Sequence, residues 1–357
     1  MMKIAFTGGG TIGHVAVNLA IMPIAIKRGY EVIYIGSKTG IEKEVVNKQF
    51  PNIKYIPISS GKLRRYLSVE NVKDIFKVQK GVLDALMVLK KEQPDFIFSK
   101  GGFVSVPVAI AAKILNIKII IHESDVTPGL ANKISLKFAT KLYTNFEETL
   151  KFVDKQKADY VGSIIRDDLF LGDVNKGYDL TGFNQDKKVL LIMGGSLGSK
   201  KINEIIRQNL SSLLASYQIV HLTGKGLVDQ SYDQPGYIQY EYVSDELMHL
   251  YAISDTIISR AGANSIYEFL ALKKPMLLIP LGLDQSRGDQ IENAKVFEKA
   301  GYAKVIQEDY LNHSTLLESL NDIEFERDEM VQKMSKNAFH YTPERLLDKM
   351  LQDIKSK

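Results

Sequence analysis

The chain has 357 residues, more than a single hydrophobic core usually supports, so two domains are expected. Hydrophobic residues make up 45% and charged residues 25%, no run approaches the roughly 18 apolar residues of a membrane span, and the opening MMKIAFTGGG lacks the pattern of a secretory leader. Without cysteine, disulfides, thiolate nucleophiles and cysteine-held zinc are excluded and the cytoplasm is the natural compartment, while the net charge of +4 divides into +10 over residues 1–160 (24 Lys/Arg against 14 Asp/Glu) and −6 over 161–357 (22 against 28), so the N-terminal half is expected to face something anionic, nucleic acid or a membrane leaflet.

In chain order, Met2–Thr7 reads as a buried strand, followed by the loop GGGTIG and a helix from about His14 to Arg28. Strands follow at Glu31–Gly36, Ile53–Pro57, Asp95–Phe98, Lys118–Ile121 and Lys141–Tyr143, with helical patterns between most of them. Between these strands, Val72, Ile75, Phe76, Gln79, Val82, Leu86 and Leu89 keep helical spacing, so one face is mainly apolar while Lys73, Lys77 and Lys80 line another; the helix start is read as resting on an anionic leaflet, or the helix packs in the core with a solvated lysine face, which is the larger part of the reading for Val72–Leu89. The loop before it, Gly61-Lys62-Leu63-Arg64-Arg65-Tyr66-Leu67, mixes cations with apolar residues and is the better candidate for resting on an anionic leaflet.

The pattern restarts after the polar stretch Val161–Gln185. Lys187–Met193 is a buried strand followed by GGSLGS and a helix, and further strands are expected at Gln218–His221, Tyr237–Tyr240, Thr256–Ile258 and Pro275–Ile279. The tail Pro343–Lys357 reads as an amphipathic helix. Strands alternating with helices imply α/β architecture, two doubly wound parallel sheets facing across a cleft, with ligands at the carboxyl ends of the strands.

Three loops at strand ends carry the chemistry. In Gly8–His14, missing side chains let backbone N–H groups approach an anion or a sugar; the dinucleotide fingerprint is met only loosely by Gly8, Gly10 and Gly13, with Glu31 as a possible ribose partner, which makes NAD a rival reading. In Gly194–Ser199 a hydroxyl at the helix start, Ser196, can donate to a phosphate oxygen, or simply cap the helix. In Ser259–Ser265 a tight turn opens another helix, and Glu268, one turn beyond Asn264, can accept both hydroxyls of a ribose or act as an ordinary first-turn acid. Gln290, near the start of the next helix, offers a donor and acceptors to a sugar hydroxyl pair.

TGGGTIGH, KGGFVSVPVAIAA, HESDVTPGLANK, MGGSLGS, SRAGANSIYE and DQIENA occur in the order and at about the spacing of the MurG family, the N-acetylglucosaminyltransferases of peptidoglycan synthesis, which the chain resembles over about residues 3–300. The resemblance implies a GT-B-type fold of two Rossmann-like domains, divided here as 1–163, joined by the C-terminal helix 343–357, and 164–342. It implies UDP-N-acetylglucosamine as donor, held mainly by the C-terminal domain, and as acceptor lipid I, undecaprenyl-pyrophosphoryl-N-acetylmuramoyl-pentapeptide, converted to lipid II at the cytoplasmic face of the membrane, with other cell-wall synthesis proteins as possible partners and no nucleic acid. By position, Ser196 resembles the family's diphosphate-binding serine, Arg166 the hinge arginine that meets the donor, Glu268 the ribose-binding acid, Gln290 the residue reading the sugar hydroxyls, and Val243 stands near the position whose backbone pairs with the uracil edge. Thr11, Gly13 and Asp125 are carried over as substrate-binding positions. Departures are Ile12 for a glycine, Val17 for a proline, Asp125 for an amide, and Gly162-Ser163-Ile164 for the hinge.

The attacking C4 hydroxyl of the acceptor needs a base. His14 is the candidate, or else a structural histidine bonded to a carbonyl, and Glu123 and Asp125 are the runners-up. No Asp-x-Asp pair follows a strand, so neither metal nor cofactor is expected; helix ends and arginine carry the leaving diphosphate, and direct attack inverts the anomeric carbon. Rival functions are a diacylglycerol glycosyltransferase of the same fold, a UDP-sugar epimerase, and a sugar-nucleotide-binding module without turnover.

Overall fold

The computed structural model describes residues 1–61, 69–195, 197–337 and 340–355, the backbone alone over 69–75. The chain divides into two compact units, Met1–Ile164 with His340–Lys357, and Ile165–Phe339.

The first unit is built on strands β1 (Lys3–Thr7), β2 (Glu31–Ser37), β3 (Lys54–Ile58), β4 (Phe96–Ser99), β5 (Lys118–Glu123), β6 (Lys141–Thr144) and β7 (Ala158–Tyr160), followed by the two-residue β8 (Ser163–Ile164). Its helices are α1 (Ala16–Lys27), α2 (Ile41–Gln49), α3 (Val69–Glu92), α4 (Ser105–Ile114) and α5 (Leu130–Ser135). The order β3-β2-β1-β4-β5-β6-β7, all parallel, places β1 between β2 and β4, with Ile4 opposite Val32 on one side and Phe96 on the other. Alternate residues of one strand serve different layers, as strand geometry requires. Ile4, Phe6, Tyr34, Phe98 and Ile120 pack with α1, whereas Ala5, Ile33, Ile97 and Ile119 pack with Ala85 and Leu89 of α3 and Val108 and Ala112 of α4. Burial on both sides is why these strands read as continuous apolar runs.

The second unit repeats the plan with α6 (Val174–Thr181), β9 (Lys188–Met193), α7 (Lys200–Gln208), α8 (Leu210–Ser216), β10 (Tyr217–Leu222), β11 (Tyr237–Tyr240), α9 (Leu247–Ile253), β12 (Thr256–Ser259), α10 (Ala263–Ala271), β13 (Met276–Leu278), α11 (Asp289–Lys299), β14 (Ala303–Val305) and α12 (His313–Asn337). Its parallel order is β11-β10-β9-β12-β13-β14, so β9 is flanked by β10 and β12. In each sheet the strand order reverses beside the first strand (β1/β4 and β9/β12). In sheets of this kind the loops leaving those two strands diverge there, which is where ligands generally bind.

The chain then returns to the first unit. In β15 (His340–Tyr341), His340 pairs with Ser163 and Tyr341 with Ile164, and α13 (Pro343–Lys355) lies against α1. Leu346, Leu347 and Met350 of α13 are fully buried in the α1-side core, each worth roughly 1.5–3 kcal/mol of burial. The Tyr143 hydroxyl donates to Asp353 at 2.6 Å, Lys349 pairs with Asp159 at 2.7 Å, and Arg28 pairs with Asp348.

One expectation is corrected. The apolar residues of α3 do not all pack: Leu89 is buried and Val82 and Leu86 partly so, but Phe76, Leu83 and Met87 are 65%, 61% and 64% exposed. Val72 and Ile75 lie where no side chain is described, and Lys62–Leu67 lies outside the described residues. Among the described residues, no helix is long and apolar enough to cross a membrane.

Candidate functional site

Both glycine loops leave the first strand of their sheet at the reversal point. In the first, a single tight turn, Ile12–His14, precedes α1, so His14 stands before the helix rather than opening it. Thr11 is exposed, Gly13 and His14 half-buried, and Thr11 Oγ1 lies 3.1 Å from His14 Nδ1. The loop is pinned from behind. The Gly9 amide donates to the Gly101 carbonyl (3.3 Å), and the Gly10 amide donates to Oε2 of the buried Glu42 (3.1 Å). Oε1 of Glu42 accepts from the amide and hydroxyl of Ser37 (2.9 and 2.5 Å). A Cβ on Gly9 would stand 2.3 Å from the Glu42 carboxyl carbon, so a larger residue there would push that carboxylate from its place. Burial pushes the Glu42 carboxyl up, but the Ser37 hydroxyl and the Gly10 and Ser37 amides more than offset it and hold the group below the ordinary carboxylate range. The expectation that this loop's amides stand open to an anion is therefore corrected at Gly9 and Gly10: both are spent inside the protein, one on a negative charge.

Two strands away, the loop after β5 carries Glu123 and Asp125. Glu123 is buried; its Oε1 accepts from the Asp125 amide (3.1 Å) and its Oε2 from the Gly129 amide and the Asn132 side chain (both 2.9 Å). Those three bonds tie the carboxylate into the loop. Asp125 is half-buried, and its carbonyl accepts from the Thr149 hydroxyl at 3.3 Å. Next to it, buried Lys100 donates to the Ser124 hydroxyl at 2.5 Å, and burial lowers its basicity against the pull of Glu123 and Asp125. His122 is fully buried edge-on to Phe98, and burial followed by the Lys100 charge keeps it neutral.

In the second unit, Ser196 lies outside the described residues. The hydroxyl that caps α7 is that of Ser199, which accepts from the Ile202 amide at 3.3 Å. Helix geometry then leaves the amides of Lys200 and Lys201 directed out of the helix end. Gly198 presses on the neighbouring turn so closely that a Cβ would stand 2.0 Å from the Thr223 carbonyl oxygen. Behind this loop is a buried cation. Arg260, at the end of β12, donates to Ser199 Oγ (2.7 Å), to Glu308 (2.5 Å) and to the Ile279 carbonyl (3.0 Å), and Gln285 donates to the second Glu308 oxygen (2.9 Å).

Glu268 on α10 receives the Tyr251 hydroxyl at 3.3 Å. Burial raises its carboxyl to about 7, opposed by the charge of Arg166. Arg166 pairs at the surface with Asp168 at 3.3 Å, so Arg166 and Glu268 belong to one electrostatic neighbourhood. Gln290, the second residue of α11, is half-buried and its Oε1 accepts from the Leu281 amide at 3.0 Å, which fixes the loop after β13. Val243 is half-buried three residues beyond β11. The sequence reading did not single out Glu42, Lys100, His122, Tyr251 or Ser199, and quoted Arg260 without a role. For Glu42 the only signal is an acid just after a glycine-containing turn, a pattern shared with any solvent-facing helix start.

Comparison with known proteins adds direct relatives. Residues 4–144 match the glycosyltransferase family 28 N-terminal domain and residues 189–349 the glycosyltransferase family 28 C-terminal domain. The UDP-N-acetylglucosamine–N-acetylmuramyl-(pentapeptide) pyrophosphoryl-undecaprenol N-acetylglucosamine transferase of Staphylococcus carnosus (strain TM300) is 64% identical over 357 residues, covering 100% of this chain and 99% of its own. The protein of that name from Staphylococcus aureus (strain MRSA252) is 64% identical over 353 residues, 99% of each chain. Among solved structures, Acinetobacter baumannii MurG superposes with a TM-score of 0.79 at 25% identity, over 99% of this chain and 100% of that one. Staphylococcus aureus MnaA, solved with UDP, superposes at 0.68 with 14% identity over 100% and 99%, a likeness of fold alone.

Proposed function

The chain belongs to glycosyltransferase family 28 and to its MurG-type N-acetylglucosaminyltransferases, and from that premise we propose that it moves N-acetylglucosamine from UDP-N-acetylglucosamine to the C4 hydroxyl of lipid I, giving lipid II. In the reaction the bond from the anomeric carbon to the UDP oxygen breaks as the acceptor C4 oxygen attacks from the opposite side, so the α-linked donor yields a β-linked product. Negative charge grows on the departing UDP, and a donor aimed at such an oxygen is worth about 3 kcal/mol. The observation that carries the assignment of donor to the second unit is the loop 194–199: a capped helix end with Arg260 buried behind it. Ser196, Arg166, Glu268, Gln290 and the backbone near Val243 would complete that site, contacting diphosphate, ribose, sugar and uracil.

The first unit would hold the acceptor through Thr11, Gly13 and Asp125. His14 would be the base: in the tautomer whose Nδ1–H donates to Thr11 Oγ1, the lone pair that would take the C4 proton is on Nε2. The test is incubation with radiolabelled UDP-N-acetylglucosamine and a short-chain lipid I analogue. Label in the lipid product is expected; UDP release without lipid labelling, or no turnover, would refute the transfer.

The acceptor is lipid-linked, and we propose that the protein works peripherally at the membrane, on its anionic cytoplasmic leaflet. Support comes from α3, where exposed Phe76, Leu83 and Met87 recur at i, i+7 and i+11 on one helix face, with Lys77, Lys80, Lys90 and Lys91 also exposed on the helix. Each basic residue near such a surface contributes on the order of 1 kcal/mol. Arg64 and Arg65 would add to it. In flotation with anionic vesicles, an R64E/R65E variant and an F76S/L83S variant should both lose most of their bound fraction; undiminished binding by both would refute this surface.

A further inference from the structure

We propose that Tyr251 is a positioning residue for donor recognition, its buried hydroxyl holding the Glu268 carboxylate in the orientation that receives the ribose. The inference rests on the reading of Glu268 as the ribose-binding acid and adds a residue that acts through it. Tyr251 sits on α9 with 1% of its surface exposed, and its ring meets Phe269 edge-on at 5.8 Å. Its hydroxyl reaches Glu268 Oε2 at 3.3 Å and lies 3.8 Å from Met193 Sδ, the last residue of β9 before the second glycine loop. One phenol thus ties together the strand end that launches the loop and the helix that carries the acid.

The charges around Glu268 explain why this bond matters. Arg166 favours the carboxylate, Asp168 opposes it, and burial opposes it most, so the group titrates near neutrality, at about 7. A ribose offers two hydroxyl donors, and only the ionised form accepts both without giving up an oxygen to its own proton. Tyr251 contributes a hydrogen bond to the ionised form. The phenol itself stays protonated, because burial and the facing Glu268 push it well above its ordinary range, so it remains a donor throughout the working pH range.

Equilibrium binding of UDP-N-acetylglucosamine without acceptor, from pH 5.5 to 9, reads this directly and leaves the acceptor base out of the measurement. Wild-type affinity is expected to fall on the acid side of about pH 7, as Glu268 takes up its proton. In Tyr251→Phe, which keeps the ring against Phe269, that fall should move to higher pH by about half to one unit. Affinity should drop several-fold at pH 7 and recover most of the way by pH 9. A uniform loss at every pH, or an unmoved profile, overturns the role of Tyr251. Glu268→Gln separates the premise from the inference. It should weaken binding and abolish the acid-side fall, and a 2′-deoxyribose donor should lose affinity against wild type but not against Glu268→Gln. If Glu268→Gln leaves binding and its pH profile unchanged, the ribose reading fails and Tyr251 with it; if only Tyr251→Phe is silent, the ribose reading stands alone.

Discussion

The two glycine loops look alike in the sequence and occupy equivalent places in their sheets, yet different groups stand behind them. Behind Gly9–Gly10 stands the buried carboxylate of Glu42, which takes the Gly10 amide for itself. Behind Gly194–Ser199 stands the buried guanidinium of Arg260, bonded to the Ser199 hydroxyl that caps α7. Glu308 pairs with that guanidinium, so the second loop is backed by an ion pair whose cationic end meets the Ser199 hydroxyl, while the first is backed by a carboxylate held by hydroxyl and amide donors. A strand-loop-helix with glycines is therefore not by itself a phosphate cradle; the residue behind it decides what it welcomes. On this contrast the second loop is the proposed place of the leaving diphosphate, and the first that of a less charged portion of the acceptor.

The largest expected effect comes from removing the cation. Arg260→Met leaves Glu308 buried without its cation and with Gln285 facing it, and breaking a buried pair from one side costs about 3–5 kcal/mol. The double variant Arg260→Met/Glu308→Gln should regain most of that stability in denaturant unfolding, because no unpaired charge remains. Donor affinity should stay low in both. Should the double variant bind UDP-N-acetylglucosamine as tightly as wild type, the backing charge is irrelevant to the donor and the comparison breaks.

Why the contrast was invisible in the sequence is a matter of distance along the chain. Buried strands such as KVLLIM and KIAFT declare themselves because both faces are covered and the residues between their ends are apolar, and the loops declare themselves by their glycines. Glu42 meets Gly10 across 32 positions and Arg260 meets Ser199 across 61, and no local period reports such a meeting. The same holds for Tyr251 and Glu268, 17 apart on different helices. Short strands escaped as well: Ala158–Tyr160 and Ala303–Val305 have three residues each, too few for alternation to register. The apolar spacing on α3 was legible, but periodicity says which residues share a face and not whether anything covers it, so Phe76 was assigned to a packed face it does not join.

A smaller effect sharpens the other half of the comparison. Glu42→Gln keeps the size of the side chain but turns one acceptor into a donor, which must then face either the Gly10 amide or the Ser37 amide and hydroxyl. Losing a buried hydrogen bond to a charged group costs about 1.5–3 kcal/mol. The pH dependence identifies the charge as the cause. Because the folded-state carboxyl titrates below its ordinary value of 4.5, its stabilisation is fully present above that value and is lost as pH falls through the lower, folded one. The stability gap between wild type and Glu42→Gln should accordingly be widest near neutrality and close as the pH drops below about 4.5. Kinetically, the loosened first loop should raise KM for the lipid acceptor several-fold while equilibrium binding of UDP-N-acetylglucosamine, proposed for the other loop, stays unchanged. A gap that persists in acid would mean that shape rather than charge holds the loop, and an equal loss of donor affinity would mean that the two loops do not divide the substrates between them.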